Sequence, residues 1–211
     1  LTSNPSLETF NAIASIFLVA IGAGASACLN MWYDSDIDAL MTRTCLRPIP
    51  TGKISKNNAL AYGIFLTIIS VIGLNYFSNT LSAILLLSTI LFYLFVYTIW
   101  LKRKTPQNIV IGGAAGALPP IIGWTISTNS VSLEPILLFL IIFFWTPSHF
   151  WALSLYKADD YKKANVPMMP IYSGIEKTKI YILLYSLIML PLISLPYFFK
   201  FSGLIYFIPA M

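Results

Sequence analysis

Apolar residues in this chain come in long unbroken runs, without the alternation of a half-buried strand or the single stripe of a surface helix. Runs long enough to cross a bilayer occupy roughly 9–30, 58–76, 81–101, 107–126, 133–155 and 178–198, and another begins at 201. The pattern predicts an all-α, polytopic transmembrane helix bundle with six full spans and the start of a seventh. Pro119, Pro120, Pro147, Pro191 and Pro196 fall inside the runs. In a bundle they predict kinks rather than helix ends, because neighbouring helices re-satisfy the freed backbone groups. No low-complexity linker interrupts the runs, so residues 1–211 are read as one membrane domain.

Composition agrees: 57% of the 211 residues are hydrophobic and 10% charged, with mean hydropathy +0.77, against about 25% charged residues in ordinary globular chains. The polar residues are one-sided. Twelve of the thirteen basic residues lie in the segments after the first, third and fifth spans, and Lys200 alone lies opposite. The positive-inside rule therefore turns the odd-numbered loops to the cytoplasm or an equivalent compartment. Six of the eight acidic residues share that face, and Glu8 and Glu134 do not. The net charge of +5 then reflects topology and an anionic ligand. The bases alternate with acids in short loops, without a polybasic run or an aromatic platform, which argues against nucleic acid as a partner.

The acids have a pattern of their own. Asn30-Met31-Trp32-Tyr33-Asp34-Ser35-Asp36-Ile37-Asp38 follows the first span directly. Four-residue steps place Asn30, Asp34 and Asp38 on one helix face across two turns. Carboxylates so spaced repel each other, and a hard divalent cation shared with a substrate's phosphates relieves the repulsion. Mg2+ with a diphosphate is the expected ligand. Asp36 lies about 200° round the helix from Asp34 and is read as solvated or paired with Arg43. A second cluster, Tyr156-Lys157-Ala158-Asp159-Asp160-Tyr161-Lys162-Lys163, follows the fifth span. Tyr156 and Asp160 are expected on a common helix face, as an inexact internal repeat of the first motif, so that two acidic helix ends face one cavity. Asp34, Asp38, Asp160 and Tyr156 are the candidate catalytic residues, and Asn30, Asp34, Asp38 and Asp160 the candidate metal ligands. Arg43, Arg47, Lys53, Lys102 and Arg103 share that side and are candidates for binding the diphosphate oxygens, arginine being suited to bidentate contacts. Lys157, Lys162 and Lys163 are read as solvated or lipid-facing.

Other features have plainer readings. Gly112-Gly113-Ala114-Ala115-Gly116 lies inside a span, without the strand-turn-helix setting of a phosphate loop, and is assigned to close helix packing. Cys28 and Cys45 lack metal-ligand spacing and are assigned to packing. The chain starts Leu-Thr-Ser-Asn-Pro-Ser-Leu-Glu, without the basic segment of a signal peptide, and is expected to be an internal fragment.

With these motifs in place, the sequence resembles the UbiA superfamily of intramembrane prenyltransferases. Within it, the resemblance is to the branch that farnesylates protohaem IX. The superfamily likeness rests on Asn30 to Asp38 and Tyr156 to Asp160. The narrower one rests on Met41 to Thr44, Arg47 to Ile54, Thr105 to Gly113, Gly116 to Trp124, Phe144 to Leu153 and Val166 to Pro170. Ser148, Asn165 and Met169 depart from it, standing where proline, glycine and leucine are expected. The resemblance implies a nine-helix bundle, of which this chain would lack the first helix and the last one or two. It implies farnesyl transfer from farnesyl diphosphate to a vinyl group of haem b, with water added, giving haem O. The partners implied are those two substrates, the lipid bilayer, and a haem A synthase or oxidase-assembly proteins, in a bacterial inner membrane or, second, an organelle inner membrane. Trp32, Tyr33, Trp145 and Trp151 are candidates for sheltering the allylic cation. His149, the only histidine, has two readings: an axial contact to haem iron or one hydrogen bond to a neighbouring helix. Two other functions are weighed. One is a related prenyltransferase acting on an aromatic quinone precursor. The other is a transporter, which calls for carboxylates along a path through the bilayer.

Overall fold

A computed structural model describes residues 8–210; the residues read for a leader, 1–7, and Met211 lie outside the described ones. The described residues are helical, with no strand among them. Six helical stretches are long and apolar enough to cross a membrane. The first is α1 (Thr9–Tyr33), followed after one residue by the short α2 (Ser35–Leu40). The second is α3 (Lys56–Phe77). The third is α4 (Thr80–Leu91), which continues as a π-helix over Phe92–Leu101. The fourth is split into α5 (Asn108–Ala117) and α6 (Pro119–Thr128). The fifth, α7 (Leu133–Tyr156), leads through Lys157 into the short α8 (Ala158–Lys163) and then α9 (Met169–Ser173). The sixth is α10 (Ile175–Phe198), and the final apolar run forms α11 (Leu204–Ala210).

Local chemistry sets several of these boundaries. Ser55 caps α3 by accepting from the Asn58 N–H at 3.2 Å, and Asn79 caps α4 by accepting from the Ser82 N–H at 2.9 Å, as expected of side chains that replace missing helical acceptors. Pro119 opens α6, where its missing N–H costs nothing, so this proline divides a span. Pro147, Pro191 and Pro196 sit inside continuous helices. Asn165, standing where the resemblance expects glycine, has φ +52°. Asparagine tolerates that left-handed backbone better than other residues with a Cβ.

Small residues bring the helices close. α1 packs chiefly on α3, and α7 on α10 and α5. A Cβ on Gly63 would come within 2.7 Å of the Leu29 side chain, and one on Gly73 within 2.6 Å of Leu18. Around these crossings Leu18, Leu29, Leu74, Leu86, Ile90, Leu94 and Ile122 form one buried cluster. A second cluster of Ile37, Met41, Ile109, Tyr161, Val166 and Met168 ties α2 to α5 and to the α8–α9 segment. It brings the ends of the first and fifth spans to the same place.

Candidate functional site

The two acidic motifs are built alike. Each long spanning helix breaks at one residue, Asp34 or Lys157, and resumes as a six-residue helix carrying Asp38 or Asp160. Across the first break the helical register survives. The Asp34 N–H donates to Asn30 O at 2.9 Å and the Asp38 N–H to Asp34 O at 2.8 Å, so Asn30, Asp34 and Asp38 keep the shared face that their spacing predicts. The second motif departs from expectation. With the chain turned at Lys157 (φ −120°), Tyr156 is 87% exposed while Asp160 is buried. The structure does not bring these two side chains together. The tyrosine of this second motif that lines the site is Tyr161.

Three of the carboxylates are buried and partnered. Asp34 is inaccessible to solvent; it accepts from Asn30 Nδ2 at 2.9 Å, from Arg103 Nη2 at 3.3 Å and from Lys102 Nζ. Asp38 accepts from Arg47 Nη1 at 2.8 Å through Oδ2. Asp160 accepts from the Thr42 hydroxyl through Oδ2, which fastens the 41–55 loop onto α8. No hydrogen bond to Asp38 Oδ1 or Asp160 Oδ1 occurs among the described residues, and neither atom is sealed from its surroundings.

Asn30, Asp38, Arg43, Arg47 and Lys102 line a cavity of about 210 Å3 together with Tyr93, Tyr97, Phe150 and Tyr161. From the second motif region Tyr161 lines this space, but neither Asp160 nor Tyr156, the residues expected there, is part of the lining. Arg43 counters part of the upward push that burial exerts on the Tyr161 hydroxyl pKa. An apolar cavity of about 250 Å3 adjoins, lined by Gly22, Ala23, Ala27, Leu86, Ala115 and Gly116 among others. Tyr93 lines both.

Several expected contacts lie elsewhere. Asp36 pairs with Arg103 rather than Arg43, both guanidinium NH groups donating to its two oxygens at 2.8 Å. That fork holds the Asp36 pKa down at about 2 and raises that of Arg103. Arg103 also lies 4.9 Å above the Tyr33 ring, so it braces the α1–α2 break and does not line the cavity. Lys53 is exposed on its loop and is likewise absent from the lining. Trp32, Tyr33, Trp145 and Trp151 do not line the polar cavity either. Trp151 is buried against Tyr185 at 5.4 Å between ring centres. His149 is exposed on α7, stacked on Trp145 at 4.1 Å. It makes no hydrogen bond to a neighbouring helix among the described residues. The aromatic lining comes instead from Tyr93, Tyr97, Phe150 and Tyr161. In the sequence, the available signal was the four-residue spacing of Tyr93 and Tyr97 ahead of Lys102, on a span with too many aromatics for it to stand out.

The donor set suits a hard cation only with help. Asn30, Asp34, Asp38 and Asp160 offer oxygens, but no group of three or more His, Cys, Asp or Glu side chains is placed to hold a metal alone among the described residues. Mg2+ commonly completes its shell with water and substrate phosphate, and the basic residues of the same cavity suit that phosphate. Of the four oxygen donors, Asn30 and Asp38 line the cavity. Asp34 is fully buried with both oxygens already held by Asn30, Lys102 and Arg103, and Asp160 is not part of the lining. Asn30 and Asp38 with phosphate and water fit the ion.

A family model described as the UbiA prenyltransferase family matches residues 1–211. This chain belongs to that family. Among its relatives, a protoheme IX farnesyltransferase of Pelagibacter ubique is 71% identical over 205 residues, covering 97% of this chain and 68% of the relative. Proteins of the same name from Parvibaculum lavamentivorans and Ehrlichia ruminantium are 55% and 56% identical, over 92% and 95% of this chain and 61% and 68% of their own lengths. The chain thus spans about two thirds of the length of these relatives. A solved UbiA homolog from Archaeoglobus fulgidus, bound to DMAPP and Mg2+, superposes with TM-score 0.75 at 20% identity, over 99% of this chain and 73% of that one. A second structure of an A. fulgidus UbiA homolog, bound to GPP and Mg2+, gives the same TM-score. Both show the same fold. The chain is an integral, multi-pass membrane protein.

Proposed function

We propose that this protein transfers the farnesyl group of farnesyl diphosphate to a vinyl group of haem b, with addition of water, giving haem O and diphosphate. The observation that carries the reading is a pair of cavities that share Tyr93 as a lining residue, one lined by Asn30, Asp38, Arg43, Arg47 and Lys102 and the other apolar and walled largely by small residues. A molecule with a diphosphate head and an isoprenoid tail matches that pair. The names of the relatives at 55–71% identity support the same reaction.

The residues divide the work by chemistry. Arg43, Arg47 and Lys102 bind the diphosphate oxygens, arginine through paired N–H groups. Asn30 and Asp38 would hold Mg2+, which when bound neutralises the charge that builds on the diphosphate as it leaves. As the C1–O bond breaks, the allylic cation lies among Tyr93, Tyr97, Phe150 and Tyr161, whose ring faces stabilise a cation by about 0.5–2 kcal/mol each and keep water from it. The electron-rich vinyl carbon of haem b then forms the new C–C bond, and water captures the resulting cation with loss of a proton. His149, exposed beside Trp145 on α7, is the proposed contact to haem iron. The active face is proposed to be the cytoplasmic side of a bacterial inner membrane, from the one-sided basic residues. A haem A synthase or oxidase-assembly proteins would take the product.

The test is incubation of the intact protein in membranes with haem b, farnesyl diphosphate and Mg2+, with mass detection of the extracted haem. Farnesylated, hydrated haem from the wild type, absent with Asp34→Asn, supports the proposal. Transfer to an added phenolic acceptor and not to haem would move the protein to quinone synthesis. Absence of any prenyl transfer, with diphosphate-independent ion uptake by loaded vesicles, would make it a transporter.

A further inference from the structure

Thr98 is buried in the π-helical part of the third span, facing α1. Its hydroxyl donates to Tyr93 O at 2.9 Å, five residues back. A threonine in an α-helix would reach four residues back; the π-helix, in which the Lys102 N–H likewise donates to Tyr97 O at 2.9 Å, sets the longer step. With its only hydrogen committed, Thr98 Oγ1 acts purely as an acceptor. The donor it meets is Asn30 Nδ2, at 3.1 Å.

The Asn30 amide has two N–H hydrogens, and Nδ2 meets a second acceptor, Asp34 Oδ2, at 2.9 Å. Both hydrogens are therefore directed away from the cavity that Asn30 lines. Asn30 Oδ1 accepts no hydrogen bond among the described residues, yet it is not among the buried unpartnered atoms, so it is open to the cavity. Were Thr98 a donor to Asn30, the amide would turn over and present N–H groups where a cation belongs.

We propose that Thr98 is a positioning residue that locks the Asn30 amide with its carbonyl oxygen presented to the cation and diphosphate. The inference rests on the reading of the cavity as a cation–diphosphate site. Thr98 itself touches neither ligand. Its contribution runs through the orientation of one oxygen donor.

The experiment uses the intact protein in detergent with Mn2+ and inorganic pyrophosphate, following bound Mn2+ by electron paramagnetic resonance. Alongside it, the Mg2+ dependence of haem farnesylation and the KM for haem are measured. Thr98→Val keeps the shape and removes the acceptor, and should weaken Mn2+ binding about tenfold and raise the half-saturating Mg2+ equally, with the haem KM unchanged. Thr98→Ser should restore both. Thr98→Ala serves as the second probe if the valine variant does not fold, with the same loss expected. Mn2+ binding unchanged in the valine or alanine variant, or a serine variant as impaired as valine, overturns the proposal, as does a wild type that binds no Mn2+. A wild type that binds Mn2+ with pyrophosphate in a Thr98-dependent way but does not farnesylate haem supports the positioning role and overturns only the assigned reaction.

Discussion

Arg47 Nη1 donates to Asp38 Oδ2 across 2.8 Å, joining a half-exposed guanidinium on the 41–55 loop to a carboxylate whose side chain is 3% exposed. The pair bridges the loop and the first acidic motif at the cavity wall. Arg47→Ala leaves Asp38 buried without its cation, a loss of about 1–3 kcal/mol. The expected outcome is a lowered unfolding temperature in detergent and a rise of one to two orders of magnitude in the KM for farnesyl diphosphate. Arg47→Lys should recover most of the stability, because one nitrogen makes the contact, but only part of the affinity, because a bidentate grip on phosphate is lost. Thermal unfolding and steady-state kinetics check both.

Asp34 has three donors and no solvent access. Asp34→Asn keeps the shape but leaves Lys102 and Arg103 without their shared anion. Turnover is expected to fall by about 10²–10³, the scale set by removing one preorganised electrostatic group from a reaction centre. Chelation with EDTA should abolish wild-type product formation, and added Mg2+ should restore it. Mass detection of the product haem reads all three conditions.

Gly112 exists for Tyr97. A Cβ there would sit 2.2 Å from Tyr97 Cδ2, far inside contact distance, and the ring can yield only by moving within the cavity that it lines. Gly112→Ala is expected to destabilise by about 1–3 kcal/mol as an overpacked core does, and to lower kcat more than it raises the KM for haem.

The two tyrosines of the second motif region should behave oppositely. Tyr156→Phe and Tyr156→Ala are expected to leave turnover within twofold, because the side chain is 87% exposed and outside the cavity. Tyr161→Ala should lower kcat about tenfold or more, through loss of a ring that lines the cavity and packs in the second cluster. Parallel kinetics on the variants decide it.

The Asp36–Arg103 fork carries a pH signature. The folded-state pKa of Asp36, at about 2, lies below its ordinary value of 3.8, so the carboxylate stabilises the fold fully above about pH 4 and loses that contribution as pH falls toward 2. Asp36 is more than half exposed, so solvent screening reduces the effect to about 0.5–1 kcal/mol. Asp36→Asn should therefore unfold slightly earlier than wild type at pH 7, and the gap should close below pH 3 and shrink in high salt. Thermal unfolding across pH and ionic strength measures it.

The hydrophobic runs of the chain determined the six spans, because crossing a bilayer requires unbroken apolar length, a property of consecutive residues. They also placed the polar chemistry on one face, since the cost of burying charge in lipid is paid residue by residue. The four-residue spacing likewise determined that Asn30, Asp34 and Asp38 share a face, because helical periodicity is local. Spacing failed at Tyr156 and Asp160, where the chain turns at Lys157 and local periodicity stops. What only the tertiary structure decided is which side chain meets which across the bundle. Lys102 reaches Asp34 and Arg103 reaches Asp36 from 67 or 68 positions away, and Tyr93, Tyr97 and Tyr161 wall the cavity in place of the tryptophans. These partners depend on how the third span winds as a π-helix and on the packing of α8 with α2 in one buried cluster. Both are settled by packing between helices distant in sequence, where many apolar residues are chemically interchangeable and geometry alone distinguishes them.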